Sequence, residues 1–262
     1  MKFTVLGSGT STGVPLVGCK CRVCTSADPR DKRKRASMLI EGDVTIVVDT
    51  GPDFRQQMLI NEISSIDSVL YTHYHYDHSG GLDDLRPFSF FSGSAITCHV
   101  DADTKMVFHD KYPYVKEKPN RDKNIPLLRF EEYQKDPGGR YRPLQFNKLS
   151  IQPLRLVHEP ERNVISVGFV FNKKIAYLTD FKSIHKDDEE LLNGLDVIYT
   201  GAPLMREHTK HLSIPEAVQF IEKYGPERGF IGHLSHGKTH IELLDYMPGG
   251  IEPAYDQLTI EF

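Results

Sequence analysis

The stretch Thr72-His73-Tyr74-His75-Tyr76-Asp77-His78-Ser79-Gly80-Gly81 puts three imidazoles and a carboxylate within six residues, directly after the apolar run Val69-Leu70-Tyr71. A short apolar run of this kind reads as a buried strand, so four metal-ligating side chains crowd the mouth of one strand. His73 and His75 are two apart on a chain leaving that strand and can grip one ion. Asp77 and His78 follow as the chain turns and can reach a second. Two divalent ions roughly 3.5 to 4 Å apart share a hydroxide and clamp both the attacking and the leaving oxygen of a displacement. Imidazole with carboxylate suits zinc, iron or manganese rather than calcium or magnesium.

Three further candidates stand at the ends of apolar runs. Leu149 to Val157 alternates like a strand and delivers His158. Val167 to Phe171 and Ile175 to Thr179 form a hairpin around Asn172-Lys173-Lys174, and its second strand delivers Asp180. Gly229-Phe230-Ile231-Gly232 delivers His233, and Asp196 to Thr200 is another buried strand. Ligands must sit at such ends if one sheet edge carries the site.

His-x-His-x-Asp-His after a strand, followed by Gly-Gly-Leu-Asp-Asp, resembles the metallo-β-lactamase superfamily, and the likeness runs over essentially the whole chain. The resemblance implies an α/β (α+β) fold, a four-layer αββα sandwich with a dinuclear site along one sheet edge. It implies that His73, His75 and His158 hold one ion, that Asp77, His78 and His233 hold the other, and that Asp180 bridges them. Asp77 is thereby placed in the catalytic machinery. Asp49 resembles the first-motif aspartate that supports the ligand loop without touching metal. His211, two residues ahead of a helix start marked by the Ser213 and Glu216 capping box, matches the family's non-metal catalytic histidine. His208 is a candidate substrate contact beside it.

Cys19-x-Cys21-x2-Cys24 is a separate signal, because three thiols bind zinc only when a fourth ligand arrives from elsewhere. Cys98, inside the apolar run Ala95 to Cys98, reads as a core thiol. The chain resembles the branch that contains the cyclic phosphodiesterase of bacterial phosphonate breakdown, which implies a structural zinc held by Cys19, Cys21, Cys24 and His236.

With 262 residues, 39% of them hydrophobic, the chain can bury its core as one domain over 1–262. A net charge of −4 provides no basic field for nucleic acid, although Arg30, Lys32, Arg33, Lys34 and Arg35 form a local basic run. No signal sequence or long apolar span is visible, which points to a cytoplasmic protein with no membrane partner and with cysteines for metal rather than disulfides. Gly7-Ser8-Gly9-Thr10-Ser11-Thr12-Gly13, after an opening strand over residues 2 to 6, is either a tight turn near the metal edge or a phosphate cradle. Met38 to Ile40 and Val44 to Val48 read as a hairpin. Phe54 to Ile60 reads as a helix capped by Asp53, and Ala95 to Val100 as a strand. Residues from Ser79 to Phe91 should begin as a helix, with Asp83, Asp84 and Arg86 near the site mouth. The charged stretch Lys116 to Lys123 reads as a surface loop or lid; residues 103 to 145 are otherwise uninformative. His99, His109, His185 and His240 carry no motif.

The expected activity is metal-dependent hydrolysis of a small, cyclic or linear phosphodiester, by a metal-bridging hydroxide with His211 assisting the leaving group. Thioester or lactone hydrolysis, tRNA 3′ processing and a non-hydrolytic role in quinone-cofactor biosynthesis are the competing readings. Charge disfavours tRNA, as does Thr200-Gly201-Ala202-Pro203-Leu204 where tRNA-processing relatives carry His-Glu-Ala-Thr. A homodimer is implied only by the resemblance.

Overall fold

A computed structural model of the chain describes residues 1–117, 125–162 and 164–261. The first half supplies strands β1 (Lys2–Gly7), β2 (Ser37–Glu41), β3 (Thr45–Val48), β4 (Ser68–Leu70), β5 (Ile96–Val100) and β6 (Leu128–Glu132). The second supplies β7 (Leu144–Phe146), β8 (Leu149–Glu159), β9 (Val164–Phe171), β10 (Ile175–Leu178), β11 (Ser183–Ile184), β12 (Val197–Gly201), β13 (Arg228–Gly232), β14 (Ile251–Pro253) and β15 (Thr259–Glu261). One sheet runs β15-β1-β2-β3-β4-β5-β6; the other runs β11-β8-β9-β10-β12-β13-β14, with β7 paired to β8.

Strand alternation builds the layers. Met38, Ile40, Ile46 and Val48 point one way, into a core that they share with Ile151, Phe169, Phe171, Tyr177 and Phe230 of the second sheet. Leu39 and Val47 point the other way, toward helices α1 (Phe54–Ile60) and α4 (Ala102–Lys111), where Phe54, Met58 and Phe108 meet them. Ile198 and Ile231 of the second sheet likewise turn outward onto Ala217 and Ile221 of α5 (Ile214–Tyr224) and Leu243 of α6 (His240–Tyr246). Strands buried on both faces read as continuous apolar runs, and three cores between four layers give the αββα sandwich.

Parallel pairing sets where the chemistry can go. β3, β4, β5 and β6 are parallel neighbours, as are β10, β12, β13 and β14. Their C-terminal ends therefore open on a common edge, the usual place for ligands in such sheets. α5 starts with the expected capping box, Ser213 with Glu216, and ends at Gly225 in the left-handed region.

Several local readings need correction. Asp53 makes no capping bond; its carboxylate is taken instead by the backbone N–H and guanidinium of Arg35, both at 2.9 Å. The helical segment after the ligand stretch starts earlier than Ser79, as α2 (Tyr76–Ser79), and continues through a 3-10 turn at Leu82–Leu85 into α3 (Arg86–Ser92). Asp84 and Arg86 line a groove against α1 rather than the metal-ligating cluster, and Asp83 accepts from the Tyr114 hydroxyl at 3.0 Å. Lys116 bridges to Leu127, while Lys118 to Lys123 of the proposed lid lie outside the described residues. Among the described residues no helix is long and apolar enough to cross a membrane.

Candidate metal centre

The ligand stretch sits on a support built by the loop after β3. Asp49 is fully buried and accepts three hydrogen bonds: from Thr72 N at 2.8 Å, from the Thr72 hydroxyl at 2.8 Å and from His78 Nδ1 at 2.7 Å. Thr72 Oγ1 in turn accepts from His73 Nδ1 at 3.0 Å. With their Nδ1 protons so engaged, His73 and His78 both present Nε2 to the site, the arrangement by which outer carboxylates fix metal-ligating imidazoles. A Cβ on Gly51 would run into the Asp77 carbonyl oxygen, so only glycine lets this support pass beneath the stretch.

The other candidates arrive from the second sheet. His158 lies inside β8, at a bulge between Val157 and Glu159, rather than one residue beyond the strand. Such an extra residue re-aims a side chain out of the pleat. Its Nδ1 donates to the Lys210 carbonyl at 3.2 Å, leaving Nε2 for the site. His233 and Asp49 each directly follow the last residue of a strand, and Asp180 stands two residues past the end of β10; all three have backbone in the left-handed region, at φ 55°, 63° and 54° respectively. Such torsions in residues other than glycine cluster at functional sites.

These side chains form two adjoining sets. The rings of His73, His75 and His158 make a triangle with centroids 4.5, 5.1 and 5.1 Å apart. Beside it, His78 Nε2 is 2.5 Å from Asp180 Oδ2 and 3.2 Å from Asp77 Oδ2, and His233 Nε2 is 3.1 Å from Asp180 Oδ1. Within each set the ligating atoms lie inside 4.8 Å of one another. Asp180 also groups with His158 and His211, so it stands between the two sets.

The donors fit divalent cations. Among the described residues His73 Nε2, His78 Nε2 and Asp180 Oδ1 are buried without a well-formed hydrogen bond, the close approaches of His78 and His233 to Asp180 notwithstanding, a costly condition unless something else satisfies them. Burial pushes His73 well below the ordinary imidazole value and His158 down to about 4, which keeps both neutral and able to coordinate. At His78 burial opposes a charge, but Asp77, Asp180 and Asp49 outweigh it and raise the group. Although burial works against it, the Asp77 carboxyl is held down at about 2 by His78. Three carboxylates around one imidazole create a demand for positive charge that a cation would meet. The all N/O donor set suits zinc, manganese or iron.

Cys19, Cys21, Cys24 and His236 form a separate group. His236 Nδ1 is 3.4, 3.4 and 3.5 Å from the three sulfurs. Zinc bonds of about 2.3 Å to sulfur and about 2.0 Å to nitrogen at a tetrahedral angle require an N to S edge of about 3.5 Å, so the four atoms already have the right spacing. The backbone N–H of Cys24 and then His236 lower the Cys21 thiol to about 6, while burial raises Cys24 to about 11. Cys98 is buried apart from this group, where burial raises its thiol strongly.

His211 enters from the loop ahead of α5. Its Nδ1 lies 3.1 Å from Asp180 Oδ1, its ring centroid is 4.9 Å from that of His158, and its side chain keeps 16% exposure. His208 is further out, 5.1 Å from His211 between ring centroids. Two residues that the sequence did not single out hold this loop. Glu159 is buried, with Oε1 2.6 Å from Lys210 Nζ and 3.9 Å from His75 Nε2. Lys210 N donates to His208 Nδ1 at 3.1 Å. The only available signal was position: a glutamate directly after His158, and a lysine between two histidines.

Comparison with known proteins agrees with this architecture. The family described as Beta-lactamase superfamily domain matches residues 44–234, which include all seven candidate ligands of the paired site but not Cys19, Cys21, Cys24 or His236. A solved structure described as a new diphosphatase from the PhnP family superposes with a TM-score of 0.89 at 34% identity, covering 100% of this chain and 96% of that one. A curated octanoyltransferase of Porphyromonas gingivalis is 38% identical over 262 residues, 98% of this chain and 51% of that protein. Coenzyme PQQ synthesis protein B of Methylorubrum populi is 32% identical over 118 residues, 38% of this chain and 40% of that protein. The chain thus spans about half or less of the length of these two curated relatives. With the family match extending over most of its length and an αββα sandwich bearing the His-x-His-x-Asp-His edge, the chain belongs to the β-lactamase superfamily.

Proposed function

We propose that the protein is a phosphodiesterase that uses two divalent cations, zinc, manganese or iron, to hydrolyse a small phosphodiester, cyclic ribose phosphodiesters included, and that a third ion, zinc, braces the fold at Cys19, Cys21, Cys24 and His236. The carrying observation is the position of Asp180, 2.5 Å from His78, 3.1 Å from His233 and grouped also with His158 and His211. One carboxylate shared by both sets suits a pair of ions better than a single one.

His73, His75 and His158 would hold one cation, and Asp77, His78 and His233 the other, with Asp180 between. When bound, such a pair supplies Lewis acidity toward phosphoryl oxygens and brings water toward a neutral pKa. The chain does the rest. Asp49 and Thr72 lock the imidazole tautomers, and the sandwich edge keeps the donors fixed. His211, with Nδ1 on Asp180, turns Nε2 toward the opening, where it hydrogen-bonds a phosphoryl oxygen and stabilises charge as it builds. Water adds across one ester bond: phosphorus gains the water oxygen, and the ester oxygen leaves with the bonding pair. The departing alkoxide takes a proton from His211 Nε2, and the proton given up by water restores that group. A phosphomonoester and an alcohol result.

The similarity to the PhnP-family diphosphatase supports phosphoryl chemistry. The likeness to half of a protein named octanoyltransferase favours, as a second reading, hydrolysis of a medium-chain acyl thioester at the same site. Parallel assays with bis(p-nitrophenyl) phosphate and an octanoyl thioester decide between them, since turnover of the thioester alone would sink the first reading. Metal analysis of wild type and Cys21→Ser gives about three ions falling to two under the arrangement described; a count of one or none would remove the paired site.

A further inference from the structure

We infer that a pocket beside the histidine edge binds the second substituent of the phosphodiester, and that this substituent is a small apolar group ending in an anion. The substrate class rests on the phosphodiester reading above; the pocket itself rests on geometry. A cavity of about 320 Å³ opens between residues 203–206, which leave β12, and the turn 234–238 that follows His233. Met205, Ile214, Leu234 and Leu243 give it an apolar floor, and Arg206 and Lys238 stand on its walls with no acidic residue among the lining. Arg206 is exposed and Lys238 half-buried, and among the described residues neither has a carboxylate partner, whereas most of the chain's other half-buried or buried cations do.

The two walls are fixed with respect to the site. Ser235 N donates to the Pro203 carbonyl at 3.2 Å, and Ile214 N to the Leu204 carbonyl at 2.8 Å. Leu234 follows His233 directly, and the same turn carries His236 of the cysteine group. On the other wall, Arg206 stands two residues before His208 in the chain, and His208 is 5.1 Å from His211 between ring centroids. A substituent reaching from a phosphorus held at the histidine edge therefore passes His208 and enters this cavity.

The lining chooses the ligand. Ligand sites combine an apolar body with a few convergent polar groups, in volumes of about 300 to 1,000 Å³. This cavity lies at the lower end, which admits a single ring or a short alkyl chain and excludes a polymer. Two cations without an internal counter-charge, above an apolar floor, complement an apolar body with a terminal carboxylate or phosphate.

The test uses the metal-loaded enzyme and three p-nitrophenyl phosphodiesters whose second ester group is methyl, hexyl or 5-carboxypentyl. The wild type should prefer hexyl over methyl by about tenfold in kcat/KM, the scale of a modest apolar pocket, and carboxypentyl over hexyl by about tenfold again. Arg206→Gln with Lys238→Gln should erase the second step, and Met205→Asp the first. Equal kcat/KM for all three esters, or a carboxypentyl preference that survives the double substitution, overturns the pocket. If none of the three is turned over, the phosphodiester reading has failed and the pocket is judged by calorimetry with the corresponding methylphosphonate monoesters. Tighter binding of the carboxypentyl compound to wild type than to the double variant supports it, and equal binding overturns it.

Discussion

Lys210 closes a clasp on the strand that bears His158: its Nζ lies 2.6 Å from the buried Glu159 Oε1, while its carbonyl accepts from His158 Nδ1 at 3.2 Å. The same residue's N–H donates to His208, so one lysine holds two histidines and the glutamate beside one of them. Supporting partners of this kind are worth about 10- to 100-fold in affinity or activity. Lys210→Met and Glu159→Gln should each lower kcat by that factor with two ions still bound at the paired site. In a double-mutant cycle the two losses should fail to add; independent, additive effects would show that the clasp does not exist.

Asp49 accepts three hydrogen bonds in a fully buried setting, and asparagine can serve only some of them. In Asp49→Asn the amide NH2 would face either the Thr72 backbone N–H or, in the flipped orientation, both the Thr72 hydroxyl and His78 Nδ1, leaving donors opposed and, in the second case, releasing the His78 tautomer. Metal affinity should drop about 10- to 100-fold, and unfolding free energy by about 1 to 3 kcal/mol. Competition with a chelator and denaturant melts measure the two effects separately.

His211 touches Asp180 but belongs to neither cation set in the proposed arrangement. His211→Ala should therefore keep its metal content and lose about 10²- to 10⁴-fold in kcat, the range for removal of a general acid. Unchanged turnover in a variant with full metal content would take His211 out of the mechanism.

His240 provides a pH handle away from the ligands. Burial lowers its imidazole to about 4, whereas an unfolded chain titrates near 6.5. Above about pH 6.5 both states are neutral and its contribution is intact; as pH falls toward 4 the unfolded state alone gains the proton, and stability is lost. Wild type should therefore lose more stability than His240→Gln between pH 6.5 and 4. Parallel curves from denaturant melts across that window would refute the assignment.

Much of the sandwich was readable because its strands are buried on both faces and so carry unbroken apolar runs, as in Ile46 to Val48 and Ile175 to Leu178. The candidate ligands were readable because parallel strands deliver their successors to one edge, which placed Asp180 and His233 beside a stretch already crowded with imidazoles. Glu159 and Lys210 escaped notice because their pairing spans 51 positions in the chain, and nothing local announces it. Asp53 looked like a cap but was claimed by Arg35, a competition between side chains that sequence order does not reveal. Thr239 and Glu242, by contrast, carry a capping box at the start of α6 that is legible from their three-residue spacing alone.

The left-handed torsions at Asp49, Asp180 and His233 carry a consequence for how such a protein ages in evolution. Each costs an L-residue of order 1 kcal/mol, and glycine or asparagine would adopt it more readily. Descendants relieved of turnover would drift toward those residues at 49, 180 and 233, and the heirs would be sturdier and inert.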